Sequence, residues 1–521
     1  MRSRQVKGRC EAKAVVVLQG GDDGARGNFA RSVAGWAVWV WAALAGLAHA
    51  AARPALEMGA VADSGGEAMF WLGAQGLMGL IVLVLTVYSV RHYCFTLQRM
   101  FGKQQHLHSG LQHGEWPNIV IFVAAHNEES VIADALHALL KVDYPPERLR
   151  IMPVNDRSTD QTRVIVDKFA RTHPGKIQPF HRSEGKPGKA AALKDATAIV
   201  LRDGWAQLIL VFDADYRPSR GLIKKLVAPF QDVEVGAVMG RVVPENSNHS
   251  LLTLLLNLER SGGYQVDQQA RTNIAAVAQY GGTVGGMRLS ALQEAGGWHD
   301  DVLAEDTDVT FRLLLKGWKT IYLNEAECYE EVPQSWPVRS RQIGRWAKGH
   351  NQALYRHVVR LLRHKALRPM EKWDGLALLA IYAMPLMLMV GWGLALLLFY
   401  GNQGVALQGA LAVMMVLAYA AFGNFSAFYQ IAAASALDGE RKAVRVLPFV
   451  IVGFLVSITS IAKATIDLML LDRLSGRELR WDKTARYRDR GVLELASQPW
   501  DLAPQIDGDF VPVPDQVRPA A

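Results

Sequence analysis

The chain has 521 residues, half of them hydrophobic, with 57 Lys and Arg against 49 Asp and Glu for a formal net charge of +8. That length exceeds one compact domain and that apolar fraction is high for a soluble protein, so two or three units including membrane helices are expected. The positive charge does not point to nucleic acid, because the basic residues cluster at the edges of apolar segments, where topology signals and anionic lipid headgroups account for them. Cys10, Cys94 and Cys328 share no metal or disulfide spacing, which excludes a stapled extracellular fold.

Residues 1–32 carry no readable pattern, and 33–90 read as an N-terminal membrane region of about two helices. The segment 33–47 is short and ends in Ala48-His49-Ala50, with Arg26 and Arg31 upstream. It reads as either a cleaved signal or a first span, and a span is preferred. Residues 69–90 lack any formal charge and are long enough for a hydrocarbon core of about 30 Å. The stretch before them, 51–68, is acidic apart from Arg53, while Arg91, His92, Arg99 and Lys103 follow. Lys and Arg mark the cytoplasmic side, so the domain over 91–372 is expected there, in an inner or plasma membrane protein with several spans.

Within that domain, strand-like and helix-like stretches alternate. Residues 119–124 form a continuous apolar run typical of a strand buried on both faces, and strand-like runs recur at 149–154 and 208–212. Helical patterns occupy 130–140 and 160–171. The alternation predicts an α/β fold, a mainly parallel Rossmann-like sheet with helices on both faces, flanked by transmembrane helices. Ligands on such sheets bind beyond the carboxyl ends of the strands. The polar motifs fall there: His126-Asn127-Glu128-Glu129, Asn155-Asp156-Arg157-Ser158-Thr159-Asp160 and Asp213-Ala214-Asp215. Further on come Ala304-Glu305-Asp306 and Gln342-Ile343-Gly344-Arg345-Trp346. The latter opens a basic amphipathic stretch in which Tyr355, Val358, Val359 and Leu362 interleave with Arg356, Arg360 and Arg363, as in a helix lying on a membrane surface.

The region 373–472 reads as a second membrane region. Residues 375–400, where Pro385 is a kink candidate, and 405–437 are uncharged and predict at least two spans. The segment 446–462 is short and runs into Lys463 and Asp467, one helical turn apart. Basic stretches flank it on both sides, so either it is re-entrant or interfacial, or one basic stretch lies outside. Residues 473–521 form a basic tail whose end, 503–521, has the composition of a disordered segment.

In this order the motifs resemble the membrane-embedded family 2 glycosyltransferases, the branch that includes cellulose, chitin, hyaluronan, poly-N-acetylglucosamine and mannan synthases. The resemblance covers about 83–486 and implies a GT-A-type domain that moves a hexose from a nucleotide-diphosphate sugar to a growing β-linked polysaccharide, with inversion and with export as a coupled step. It makes Asp213 and Asp215 the binding pair for Mg or Mn, since two carboxylates beyond a strand end suit a hard divalent ion. It makes Asp306 the general base, with Glu305 beside it, and places Asn127, Glu128, Asp156, Lys189 and Asp213 around the donor. The loop Gly185-Lys186-Pro187-Gly188-Lys189 would bring two ammonium groups and a helix start to the diphosphate. Gln342, Arg345 and Trp346 would hold the acceptor end and the diphosphate, because guanidinium clamps phosphate and an indole face stacks on a pyranose.

The pattern departs from the family in three places. Ala304 stands where the family has Thr, His126 replaces an aromatic residue, and Gly281 replaces an Asn common among mannan and glucomannan synthases, the subgroup that Gly282-Thr283, Gly296-Gly297-Trp298 and Gly317-Trp318 otherwise resemble. A UDP-sugar is the family's default donor and GDP-mannose the alternative. Expected partners are the polysaccharide or a lipid acceptor, membrane lipids and an accessory export subunit, without nucleic acid. Single-sugar transfer to a lipid and a catalytically idle export subunit are the competing readings. A solute transporter is the weakest, because Lys463 and Asp467 are the only buried-charge candidates in the apolar segments.

Overall fold

The computed structural model describes residues 65–105, 115–401 and 425–472. The expectations for 33–47, for 405–424 and for the tail beyond 472 lie outside these residues. The chain divides into two compact units, Met1–Leu83 and Val84–Ala521. The described part of the first is the beginning of one apolar helix, α1 (Gly65–Phe101).

The second unit is built on an eight-stranded sheet: β1 (Ile119–Ala125), β2 (Leu149–Asp156), β3 (Phe180–Arg182), β4 (Leu208–Asp213), β5 (Arg217–Pro218), β6 (Val235–Pro244), β7 (Gly285–Arg288) and β8 (Lys319–Glu330). Their order is β3-β2-β1-β4-β7-β6-β8-β5. Strands β1, β2, β3 and β4 are parallel to one another, as are β6 and β8. The short β7 runs antiparallel between β4 and β6. The sheet is thus mainly parallel, as the alternation predicts.

The run 119–123 is almost fully withdrawn from solvent because helices cover both sheet faces, and each such Ile or Val contributes about 1.5–3 kcal/mol by burial. On α2 (Ile132–Leu140), Ile132, Leu136 and Leu139 are buried at helical spacing. Helix α3 (Thr162–Thr172) buries Val166 and Phe169, and α4 (Lys189–Asp203) buries Leu193, Ala196 and Val200. Strand ends differ slightly from expectation: Asn155 and Asp156 close β2 and Asp213 closes β4, rather than following them.

Helix α5 (Leu251–Ser261) begins at a capping box in which Thr253 N–H donates to Ser250 Oγ (3.2 Å) and Ser250 N–H to Thr253 Oγ1 (2.9 Å). Helix α6 (Glu305–Leu315) carries the late acidic motif, and α7 (Trp336–Arg363) carries Gln342, Arg345 and Trp346. On α7, Tyr355, Val359 and Leu362 are exposed and Val358 is half-buried.

Among the described residues three helices are long and apolar enough to cross a membrane: Met69–Phe101, Pro369–Leu398 and Arg445–Leu470. The second is α8 (Pro369–Ala380) followed by a 3-10 turn and α9 (Met384–Gly401), so its break falls just before Pro385. The third takes in the segment 446–462 and extends it on both sides. Its helix α10 (Val450–Ile466) continues past Lys463 into a π turn ending at Asp472, which gives it spanning length.

Buried charges fasten these helices to the rest of the second unit. Arg91 of α1 pairs with Asp374 of α8 (2.8 Å) and with Asp267 (3.2 Å), which Arg271 also holds (2.9 Å). The second Asp374 oxygen accepts from Val277 N–H (3.1 Å). Helix α7 lies against α10 through Ile343, Ala347, Ile461 and Ala464, with Asn351 Nδ2 donating to Thr465 Oγ1 (2.9 Å).

Candidate active site

The loops after β1 and β2 are stitched together by their own polar motifs. Asn127 and Arg157 both take left-handed backbone conformations, each with φ of 55°, which Asn tolerates better than most residues. Asn127 N–H donates to Ser158 Oγ (2.9 Å), and its Oδ1 accepts from Thr159 N–H (2.7 Å). Glu128 is buried, and its N–H donates to Thr162 Oγ1 (2.8 Å). His126 Nδ1 donates to the Asp156 carbonyl (2.6 Å). The Asp156 carboxylate accepts from Arg182 (2.9 Å), from Arg157 (3.0 Å) and from Gly188 N–H (3.0 Å). Asp156 therefore also shapes the loop that precedes α4, a duty the motif alone does not disclose.

Lys189, the first residue of α4, points into the second acidic cluster. Its Nζ donates to Asp213 Oδ1 (2.5 Å) and to the Gly282 carbonyl (2.9 Å). Burial works against this ammonium, but Asp213, then Glu305 and Asp306, hold it above its ordinary range. Three carboxylates from β4 and α6 thus converge on one cation. Burial lifts the Glu305 carboxyl to about 7; Lys189 pulls it down, while Asp306 and Asp213 push it up. Lys186 stays exposed on its loop, so one ammonium, not two, joins the cluster.

Asp213 side chain keeps 30% of its exposure, whereas Asp215 is buried. Thr283 Oγ1 accepts from Asp213 N–H (3.2 Å). The next residue, Val284, is fully buried at φ 47°, a costly conformation for a β-branched side chain and one that clusters at functional sites. Gly282, at φ +75°, lies where a Cβ would stand 3.2 Å from Asp306 Oδ2.

Gln342, Arg345 and Trp346 sit on α7, which approaches the start of α6 closely. A Cβ on Gly349 would fall 2.6 Å from both the amide nitrogen and the Cβ of Ala304. Ala304 is therefore a point of close approach between α7 and the start of α6. Gly349→Ala should cost about 1–3 kcal/mol by forcing backbone apart, and should lower activity with it. Gly344→Ala, whose Cβ would meet nothing nearer than 3.6 Å, should melt like wild type; equal melting of both variants would refute the close-contact account.

Two guanidinium groups approach the Trp346 ring, Arg260 at 5.0 Å and Arg339 at 5.3 Å from its centroid, within cation–π range. Gln342 Oε1 accepts from Arg339 Nη1 (3.1 Å). Arg345 is half-buried one turn along. Arg260 also pairs with Glu330 (2.8 Å), whose other oxygen accepts from Tyr216 (2.6 Å). Sequence reasoning missed Arg260, Arg339, Glu330 and Tyr216, because they come from two helices, a strand and a loop and no short motif contains them. The capping box before α5 is the one local signal that a helix carrying Arg260 starts there.

Residues 117–349 match the family described as "Glycosyltransferase like family 2". Over 256 residues the chain is 32% identical to YdaM, a probable glycosyltransferase of Bacillus subtilis (strain 168), covering 49% of this chain and 60% of that one. Over 306 residues it is 25% identical to glucomannan 4-beta-mannosyltransferase 7 of Arabidopsis thaliana, covering 57% and 53%. The chain thus spans between half and two thirds of the length of these curated relatives. A mannosyltransferase of Pyrobaculum calidifontis, solved in complex with GDP-Man and Mn2+, has a TM-score of 0.48 at 22% identity, covering 69% of this chain and 97% of that one.

Proposed function

We infer that the glycosyltransferase family 2 domain carried by residues 117–349 moves a hexose from a nucleotide-diphosphate sugar to a growing β-linked polysaccharide, at the cytoplasmic face of a membrane. The observation that carries this reading is the convergence of Asp213, Glu305 and Asp306 around Lys189 at the carboxyl ends of the strands, where open α/β sheets bind ligands. The acceptor hydroxyl attacks the anomeric carbon as its proton passes to Asp306. The bond to the diphosphate breaks on the opposite face, and the nucleoside diphosphate leaves, so the anomeric configuration inverts. Asn127, Glu128, Asp156 and Lys189 surround the donor; Gln342, Arg345 and Trp346 hold the acceptor end.

The donor set also suits a divalent ion. Asp213 and Asp215 offer two hard carboxylates, and the cluster around Lys189 carries more negative charge than one ammonium balances. Among the described residues no group of three or more His, Cys, Asp or Glu side chains gathers for a metal, so Mg or Mn would need donor diphosphate oxygens and water as well. When bound, it would neutralise the leaving diphosphate.

The sugar is open between UDP-linked hexoses and GDP-mannose, and the likeness to a glucomannan mannosyltransferase brings mannose forward. The test is nucleotide release by detergent-purified chain with UDP-glucose, UDP-N-acetylglucosamine, UDP-galactose and GDP-mannose, with Mg, Mn or EDTA, and sizing of any glycan. Metal-dependent release with one donor and a long product is expected. A product limited to one sugar on a lipid would replace polymerisation with single transfer. No release with any donor would overturn the reading for the chain alone.

Trp346→Ala should slow chain elongation about threefold to tenfold more than donor hydrolysis, as loss of one stacking face implies. Equal loss of both rates would remove Trp346 from the acceptor site.

A further inference from the structure

Behind Asp306 lies a polar set that no motif announces. Thr307 is fully buried, and it donates twice to Asp306 Oδ1, through its N–H (2.6 Å) and its Oγ1 (3.3 Å). Thr307 Oγ1 in turn accepts from Gln279 Nε2 (3.0 Å) and stands 3.2 Å from His350 Nε2. Gln279 Nε2 is also 3.2 Å from His350 Nε2. The His350 Nδ1 faces the Trp346 carbonyl (3.3 Å), so the proton belongs on Nδ1 and Nε2 is left as an acceptor. One arrangement of hydrogens then satisfies every atom. The Gln279 amide gives its two hydrogens to Thr307 and His350, the Thr307 hydroxyl gives its own to Asp306, and His350 donates to Trp346.

The remaining contacts fix both ends of this set. Gln279 is pinned by Gln268, which accepts from its N–H (3.2 Å) and donates to its carbonyl (3.0 Å). His350 packs on Tyr382, with ring centroids 4.6 Å apart. Asp306 and Tyr382 are the titratable groups that face His350, and burial, more than Asp306 opposes it, keeps the imidazole below its ordinary range and so neutral. With Oδ1 of Asp306 engaged twice, Oδ2 is the oxygen turned toward Gly282, whose carbonyl holds Lys189.

We propose that Thr307, backed by Gln279 and His350, is a positioning residue that anchors Oδ1 of Asp306, presents Oδ2 to the acceptor hydroxyl, and ties the base to the helix bearing Trp346. This rests on the reading of Asp306 as the general base. The set acts through Asp306 and touches no substrate itself.

The test uses the full chain in detergent with the donor that wild type turns over. Thr307→Val keeps the side-chain volume and removes the hydroxyl. It should lower kcat about tenfold to thirtyfold, as loss of a hydrogen bond to a charged group implies, with donor KM within about twofold. Thr307→Ser should return kcat to within about threefold of wild type. His350→Phe, which keeps a ring against Tyr382 but takes away the acceptor, should lower kcat with unchanged donor KM and serves where Thr307→Val does not fold.

Equal losses of kcat in Thr307→Val and Thr307→Ser, or a donor KM that rises in step with the loss of kcat, would assign Thr307 to packing and overturn the proposal. So would wild-type kcat in both Thr307→Val and His350→Phe. Wild type that turns over no donor would instead overturn the transferase reading, and this inference with it.

Discussion

Asp306→Asn is expected to lower transfer by about 10²–10⁴-fold, the range that a positioned general base supplies, while donor affinity stays within a small factor of wild type. The substitution is nearly isosteric. Its carbonyl oxygen can keep the Thr307 N–H at Oδ1, and its amide then faces Gly282 with no capacity to take a proton. The donor side is left as it was: Lys189 remains bonded to Asp213 and to the Gly282 carbonyl, and both aspartates of the β4 end are untouched. Donor binding by calorimetry and nucleotide release together separate the outcomes. Affinity falling in step with turnover would move Asp306 into a structural role at the start of α6, where acids are favoured by the helix dipole anyway. Turnover close to wild type would pass the base to Glu305, whose carboxyl burial raises to about 7.

Much of this site is legible in the sequence because two independent signals coincide. The continuous apolar run at 119–124 and the strand-like runs at 149–154 and 208–212 predict parallel strands, and polar motifs follow each run at the edge where ligands bind. What stays hidden is hidden for identifiable reasons. Strand β8 reads Lys-Thr-Ile-Tyr-Leu-Asn-Glu-Ala-Glu-Cys-Tyr-Glu, a sequence too polar to stand out, although Ile321, Tyr322, Ala326 and Cys328 are buried. Strand β7 has four residues, two of them glycine, and looks like a turn. The Arg260–Glu330–Tyr216 cluster joins residues far apart in the chain, so only the completed sheet brings them together. The third candidate span looks short because its apolar run meets Lys463, yet the helix carries on to Asp472. Composition marks where an apolar run ends, and backbone hydrogen bonding does not have to end there.

The largest stability effect is expected two residues beyond Asp306. Asp308 is fully buried and holds three elements: Arg312 of its own helix (2.8 Å), His357 of α7 (2.8 Å) and His299 of the preceding loop (2.9 Å). Arg312 extends the clamp to the Gly297 carbonyl (2.7 Å). Asp308→Ala leaves the buried Arg312 guanidinium without its counter-charge, which should cost about 3–5 kcal/mol. Because His357 and Trp346 share α7, the same change should loosen the start of α6 from α7. The charge also has a pH signature. Burial pushes the Asp308 carboxyl up, but the His357 hydrogen bond and the Arg312 charge outweigh it and hold the group at about 2 rather than 3.8. A depressed carboxyl stabilises the fold fully above its unfolded value and loses that contribution as pH falls through the folded one. About 2 kcal/mol should therefore disappear between roughly pH 4 and pH 2. Melting of detergent-purified wild type and Asp308→Asn across that window tests the point, since the amide keeps the shape but not the titration. A smaller acid-induced fall in the variant is expected. An identical fall in both would mean that other carboxylates carry the acid sensitivity, and that the Asp308 clamp is held by hydrogen bonds rather than by charge.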